Sequence, residues 1–262
     1  MNLATVVGLP LGFIILLAAF IYEGGNPASL VLPSPFVIIL GGTFSALLVS
    51  YDPSDIRAIP KLIRDAAQTL KTREKEIANM FVTFAEKSRR DGLLSLEEDL
   101  QGLDPTTDPL IKKGLRYVID GTDSDALADL LENDVSIYER HRKHEAEIFA
   151  KAGGFSPTMG IIGTVLGLVL VLSKLAEPEK LGESIATAFI ATLYGISFAN
   201  LIWLPIGNKL MLKLEKEKRV KEMIIQGVLS IQQGESPKLV GDKLAVYLEP
   251  KDRSALESFN EA

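Results

Sequence analysis

Cysteine is absent from the 262 residues, which excludes a disulfide framework and any thiolate-ligated metal site. Histidine occurs twice, as His141 and His144. That i, i+3 spacing puts both on one face of a helix, a geometry able to hold a metal. Arg140, Arg142 and Lys143 surround them and repel a cation, so the pair reads as a solvated face near a membrane, with no metal and no cofactor. Also missing are a phosphate-cradling P-loop, an HExxH zinc motif, a nucleophile elbow, a glycosylation sequon and a lipidation signal. Nothing in the chain assembles a catalytic constellation, and the chain is read as a non-enzyme. A net charge of −6 offers no basic field to nucleic acid.

What the chain has is grease, gathered into four blocks at residues 3–22, 30–51, 154–173 and 185–206. Each is close to the ~20 residues a helix needs to cross a hydrocarbon core. None contains Asp, Glu, Lys or Arg, and none alternates with polar positions as a soluble core helix does. The first block is expected to be a retained span, because a secretory signal needs a positive leader and the first basic residue is Arg57. Basic residues fix the orientation. The segments EGGNPAS and AEPEKLGES, between spans one and two and between spans three and four, hold one lysine, with Lys174 at the edge of the second. Arg57, Lys61, Arg64 and Lys71 follow span two, Arg140, Arg142, Lys143 and Lys151 precede span three, and Lys209, Lys213, Lys216, Lys218, Arg219 and Lys221 follow span four. The expected architecture is an all-α protein of the bacterial inner membrane with four transmembrane helices and both termini cytoplasmic. Residues 1–51 hold spans one and two, 52–153 a cytoplasmic helical domain, 154–206 spans three and four, and 207–262 a cytoplasmic helical tail.

Between spans two and three the pattern is helical throughout. Ser54 or Asp55 is placed to cap a helix in which Ile56, Ile59, Ile63, Ala66 and Leu70 recur at helical spacing. Further helices are expected over about 75–90, 110–119 and 124–151, with a loop around Pro105 and Pro109. The alternating β-branched runs of strands are missing. The tail continues span four, breaks at QQGESP and offers a short helix around 237–248.

Within the spans, small residues line up. Gly160, Gly163 or Thr164, and Gly167 form one stripe, and Ala188, Thr192, Gly195 and Ala199 form another. Helices in lipid associate through such faces. Two readings stand side by side: the stripes pack against each other, or they sleeve a helix from another chain. Thr164 can also satisfy its hydroxyl on its own i−4 carbonyl. An ion pathway needs a group within the bilayer that carries or trades charge near neutral pH, and these spans hold no Asp, Glu, Lys, Arg or His. Either the chain conducts nothing, or a partner helix supplies a carboxylate while threonine oxygens and freed carbonyls line the path. Pro157 and Pro205, at the cytoplasmic ends of spans three and four, are expected to bend or end their helices and release carbonyls there.

Four stretches then carry a resemblance: FAEKSRRDGLLSLEEDL, FSPTMGIIGTVLGLV, ATLYGISFANLIWLPIGNKL and QGVLSIQQGESPKLVGDKL. Together with the span layout, which extends over nearly the whole length, they resemble the MotA/PomA stator proteins of the bacterial flagellar motor. The resemblance implies an ion-driven torque generator. Several copies, a ring of five, would surround the helices of a MotB/PomB-type single-span partner that brings the ion-binding aspartate, and the cytoplasmic domain would push the rotor protein FliG. It further implies that Arg89 and Glu97 engage FliG, that Pro157 and Pro205 are conformational prolines, and that Thr164 and Thr192 line the ion path. Proton-driven members commonly carry alanine at the Thr164 position, which tilts the expected ion toward sodium rather than proton. The energy per step is modest, about 2.3 kcal/mol per elementary charge per 100 mV. The rival reading is an ExbB or TolQ type energiser of an envelope partner, but those relatives have three spans and a long loop after the first. A secondary transporter would show an intramembrane charge and more spans. In a passive scaffold, the stripes would only pack.

Overall fold

The computed structural model describes residues 3–69, 73–173, 175, 181–250 and 252–253. The expectations attached to Leu70, Lys71, Lys174, residues 176–180 of the AEPEKLGES segment and the chain beyond 253 lie outside the described residues. Every regular element among the described residues is helical. In chain order they are α1 (Leu3–Tyr22), α2 (Pro33–Ser50), α3 (Pro53–Ala67), α4 (Glu74–Asp91), α5 (Leu96–Gly102), α6 (Pro109–Ile119), α7 (Ser124–Ser173), α8 (Leu181–Phe198), α9 (Leu204–Gln232) and α10 (Pro237–Ala245). Short 3-10 turns occupy Pro27–Leu30 and Leu93–Ser95, and a π-helical turn, Ala199–Trp203, joins α8 to α9.

Three helical stretches are long and apolar enough to cross a membrane: Pro27–Ser50, Ser124–Ser173 and Ser184–Gln232. The N-terminal helix offers a shorter apolar stretch, Val7–Tyr22. The expected start of α3 is corrected, and of the bending or ending expected at Pro157 and Pro205 the ending does not occur. The α3 N-cap is Asp52 with Pro53 inside the first turn, so neither Ser54 nor Asp55 caps it; the fixed φ of proline suits that position. Pro157 ends nothing, because α7 runs unbroken for 50 residues through Gly153, Gly154 and Pro157. The lost hydrogen bond of a proline is local, whereas Phe149, Ala152 and Ser156, buried along the same helix, hold that stretch in place. Pro205 does not stop its helix either. Upstream of it the backbone widens into the π turn, where the Leu204 N–H donates to the Ala199 carbonyl five residues back. Such a turn is a common accommodation beside a residue that cannot sit in the i→i−4 ladder.

The chain divides into two compact units. One comprises Met1–Thr69 and Arg142–Lys213, the other Leu70–His141 and Leu214–Ala262. The first gathers a core of Leu47, Ile59, Leu62, Ala66, Phe149, Ala152, Trp203, Ile206 and Leu210 from α2, α3, α7, the π turn and α9. In α3, Ile59, Leu62 and Ala66 face this core at helical spacing, while Ile63 is half turned out. The second unit is built around Phe81, with Leu96, Ile111, Leu115, Leu127, Leu131, Met223, Ile224, Val228 and Leu244. There Lys221 binds Asp108 at 2.9 Å and stands 4.6 Å over the Tyr138 ring, tying α9 to the start of α6 and to α7.

Candidate functional site

The two small-residue stripes meet each other. In the first unit, a Cβ built on Gly195 would lie 2.7 Å from the Ser156 carbonyl oxygen, and one on Gly160 would lie 2.9 Å from that of Ala191. One on Gly167 would lie 2.6 Å from the Ala188 Cβ. Helices α7 and α8 therefore approach backbone to backbone, which only residues without bulk permit. The packing reading of the stripes is what this unit displays. The buried Ser156 hydroxyl donates to the Gly195 carbonyl at 3.0 Å, a crossing bond with no signal in the sequence reading.

Thr164 and Thr192 come together at this crossing. Their hydroxyl oxygens are 2.5 Å apart, and the Thr164 oxygen also lies 2.9 Å from the Ala188 carbonyl and 3.1 Å from its own i−4 carbonyl at Gly160. Thr164 has one proton for three acceptors, so a cluster of oxygens surrounds a donor that satisfies one of them at a time. Both threonines are half-buried. Hydroxyl and carbonyl oxygens are hard ligands suited to a hard cation, yet this set carries no charge of its own. Outward-facing Val165, Val169 and Leu172 on α7, with Phe189 and Ile196 on α8, leave the rest of these helices apolar and exposed. Nearer the far end of α8, the Tyr194 hydroxyl donates to the Leu30 carbonyl.

Pro157 and Pro205 sit in α7 and α9 of the same unit. Arg89 and Glu97 belong to the other. Arg89 is in the last turn of α4, which Gly92 caps with φ +84°, a conformation that favours glycine. Glu97 is in the first turn of α5, so the seven residues between them are not one helix. Lys87 on α4 holds Asp99 on α5 at 2.6 Å, and the Ser95 hydroxyl donates to the Gly92 carbonyl at 2.6 Å. Leu96 and Leu100 are buried and pin α5 to the core. On this braced turn Arg89 and Glu97 are both exposed, and among the described residues neither has a side-chain hydrogen bond or ion pair. Leu94 beside them is 72% exposed. Arg90 is spent on its neighbour Asp91, 2.9 Å away, which holds the Asp91 carboxyl below its ordinary value.

An ion cluster in the first unit has no signature in the sequence. Asp65, at the end of α3, accepts from Lys213 at 2.5 Å and from Arg142 at 2.8 Å, and Arg142 also reaches Glu145 at 2.7 Å. Burial pushes the Asp65 carboxyl up, but hydrogen bonds from Lys213 and Arg142 outweigh it and hold the group below its ordinary value. Partners so far apart in sequence share no local pattern that points to them. His144 lies 3.1 Å from Asp55, with its ring 5.4 Å from that of Tyr51.

Comparison with known proteins bears on this geometry. Residues 103–223 match the MotA/TolQ/ExbB proton channel family, and residues 6–92 match the motility protein A N-terminal family. The chain is 40% identical to motility protein A of Treponema phagedenis over 98% of both chains. It is 34% identical to that of Bacillus subtilis, over 100% of this chain and 96% of the relative. It is 29% identical to chemotaxis protein PomA of Vibrio alginolyticus, over 97% of this chain and 98% of the relative. Among solved structures it is similar to the flagellar MotAB stator complex from Bacillus subtilis, with a TM-score of 0.87 at 35% identity over 96% of this chain and 98% of that one. It is also similar to C. jejuni MotAB, with a TM-score of 0.88 at 28% identity over 95% and 97%. The chain belongs to the MotA/PomA family of flagellar stator proteins, within the MotA/TolQ/ExbB proton channel family, and is a membrane channel protein rather than an enzyme.

Proposed function

We propose that this chain is the ring-forming subunit of a flagellar stator. It crosses the bacterial inner membrane four times with both termini in the cytoplasm, and it converts ion flow into torque on the rotor. Residues 52–153 and 207–262 are its cytoplasmic parts. A MotB/PomB-type partner threads a single helix into a ring of five copies and brings the aspartate that binds the ion. The observation that carries this reading is the absence of any Asp, Glu, Lys, Arg or His from four apolar runs that nevertheless place paired hydroxyls at a helix crossing. A wall of that kind guides an ion but cannot trade a proton or hold a charge unaided.

In this reading Thr164 and Thr192 line the ion path, Pro157 and Pro205 set the shape of the helices that flank it, and Arg89 with Glu97 touches FliG. The exposed, untied state of those two charges supports rotor contact. Such contacts are individually weak and salt-sensitive, which suits repeated stepping. Sodium is favoured over proton as the coupling ion because a threonine, not an alanine, stands at position 164. Correspondence along the whole length, including the N-terminal match over residues 6–92, favours a stator over an ExbB or TolQ type energiser.

The test is reconstitution. Vesicles containing this chain with its MotB-type partner should conduct cations, and vesicles containing this chain alone should not. Cation flux through the chain by itself would overturn the reading, as would normal swimming of cells from which the gene has been deleted.

A further inference from the structure

Helix α3 presents three distinct faces. Ile59, Leu62 and Ala66 are buried in the core of the first unit. Arg57, Lys61 and Arg64, spaced i, i+4 and i+7, form an exposed basic ridge, and among the described residues none of the three is in an ion pair or side-chain hydrogen bond. Between these faces runs an apolar ridge of Ile56, Pro60 and Ile63, of which Pro60 and Ile63 are exposed.

The helix lies across α7. Asp55 meets His144 at 3.1 Å and Asp65 meets Arg142 at 2.8 Å. Ten residues of α3 climb about 15 Å, while the two residues of α7 that they meet are separated by about 3 Å of rise. With α7 crossing a bilayer, α3 therefore runs near the plane of that bilayer, directly after the apolar run of α2 ends at Ser50. Asp65, on the edge of the buried face away from the apolar ridge, pairs with Arg142, farther along α7 from its apolar span than the buried Phe149. The apolar ridge accordingly turns toward the span, and the basic ridge sits beside it at headgroup depth. Next to the basic ridge lies a cleft of about 450 Å³ lined by Lys61, Arg64, Gln68 and Arg142, with Asp65 and Glu145. Both carboxylates are already held, Asp65 by Lys213 and Arg142 and Glu145 by Arg142, so the charge left facing outward is that of Lys61 and Arg64.

We propose that α3 is an anionic-lipid docking helix: the Arg57–Lys61–Arg64 ridge and its adjoining cleft bind the phosphate headgroups of acidic phospholipids, while Ile56, Pro60 and Ile63 rest against the acyl chains. An interfacial helix with one basic and one apolar face binds in this manner. Each basic residue near an anionic surface is worth about a five-fold gain in association. The site anchors the cytoplasmic end of α2 to the bilayer independently of any ion flow.

The experiment uses the full-length chain in phosphatidylcholine vesicles. Spin-labelled phosphatidylglycerol is compared with spin-labelled phosphatidylcholine for motionally restricted lipid. Wild type should favour phosphatidylglycerol at least about five-fold. The triple variant Arg57→Gln, Lys61→Gln, Arg64→Gln, which leaves the buried face untouched, should bring the ratio close to one. A charge-matched control, Lys75→Gln, Lys216→Gln, Lys238→Gln, should keep it. Raising the salt should weaken the preference in wild type without any substitution. No headgroup preference, a salt-independent one, or equal loss in the control would each overturn the proposal. Displacement of the labelled lipid by millimolar inorganic phosphate would overturn it as well, reassigning the cleft to a soluble anion.

Discussion

Gly195→Ala tests the crossing on which the threonine pair depends. The new methyl would arrive 2.7 Å from the Ser156 carbonyl oxygen and 3.0 Å from the Gly160 Cα. Both are backbone atoms, which cannot swing aside like the end of a flexible side chain. The helices must part, lengthening the Ser156–Gly195 hydrogen bond and drawing Thr192 away from Thr164. Overpacking of this kind costs about 1–3 kcal/mol, and helix propensity returns about 1 kcal/mol when glycine becomes alanine. The net expectation is a loss of up to about 2 kcal/mol, or up to several degrees of melting temperature at about 2–4 °C per kcal/mol for a chain of this length. The gap below a variant that gains the propensity alone is about 1–3 kcal/mol. The control is Gly154→Ala in α7, where an added Cβ meets nothing within 4 Å. It should gain the propensity and lose nothing. The assay is thermal unfolding of both variants and wild type in the same detergent. If Gly195→Ala melts with or above Gly154→Ala, the backbone-to-backbone crossing is wrong.

Asp65→Asn would leave the buried Lys213 and the partly buried Arg142 without their carboxylate. Loss of one partner from a fully buried pair costs about 3 kcal/mol or more, and the partial exposure of Asp65 reduces this to about 1–3 kcal/mol. Adding Lys213→Met should recover part of it in the same melting assay, and no recovery would refute the clamp. The pH dependence has a definite sign. The folded Asp65 pKa lies below the ordinary 3.8, so the unfolded chain binds more protons; the stability is present above pH 3.8 and is lost as pH falls through the lower folded value. Acid titration of wild type against the asparagine variant checks this, and identical profiles would refute it. Arg89→Glu combined with Glu97→Lys should stop swimming while the complex still assembles, as followed by co-purification with the partner; normal swimming removes both residues from the mechanism. Thr164→Ala should weaken the dependence of swimming speed on external sodium, and full wild-type speed in sodium-free medium at a fixed proton gradient would count against sodium coupling.

The features legible in the sequence are periodic ones. The three- and four-residue recurrence of Ile56, Ile59, Ile63 and Ala66 predicts an α3 face, of which Ile59 and Ala66 are buried while Leu62 takes the inward place expected of Ile63. The small residues of α7 and α8 recur on stripes that do meet. The Asp91–Gly92 pair announces the turn between Arg89 and Glu97, and Gly92 adopts positive φ there. What escaped depends on partners remote along the chain. The continuity of α7 through two glycines and a proline contradicts local propensity, because penalties of a few kcal/mol are overridden by packing that no window of sequence contains. The Asp65 clamp joins residues 77 and 148 positions apart, so no spacing rule reaches it. The exposed stretch of α3 is visible as a pattern, yet its orientation across α7 follows only from which residues it touches.

On the proposed reading, the weakness of the threonine site is what conduction requires. An ion path must bind well enough to admit an ion and loosely enough to release it. A carboxylate within this chain, facing lipid-like surroundings, would hold a cation tightly or stay protonated. Thr164 instead offers a hydroxyl with acceptors at Thr192, Ala188 and Gly160, all within 3.1 Å. Rotating that one proton among them exposes a different oxygen each time without breaking helix hydrogen bonds. A neutral wall that reorients cheaply leaves the strong electrostatic term to a charge arriving on another helix. Relative movement between that helix and this wall then becomes the event that loads and unloads the ion, and it ties ion passage to rotation through geometry alone.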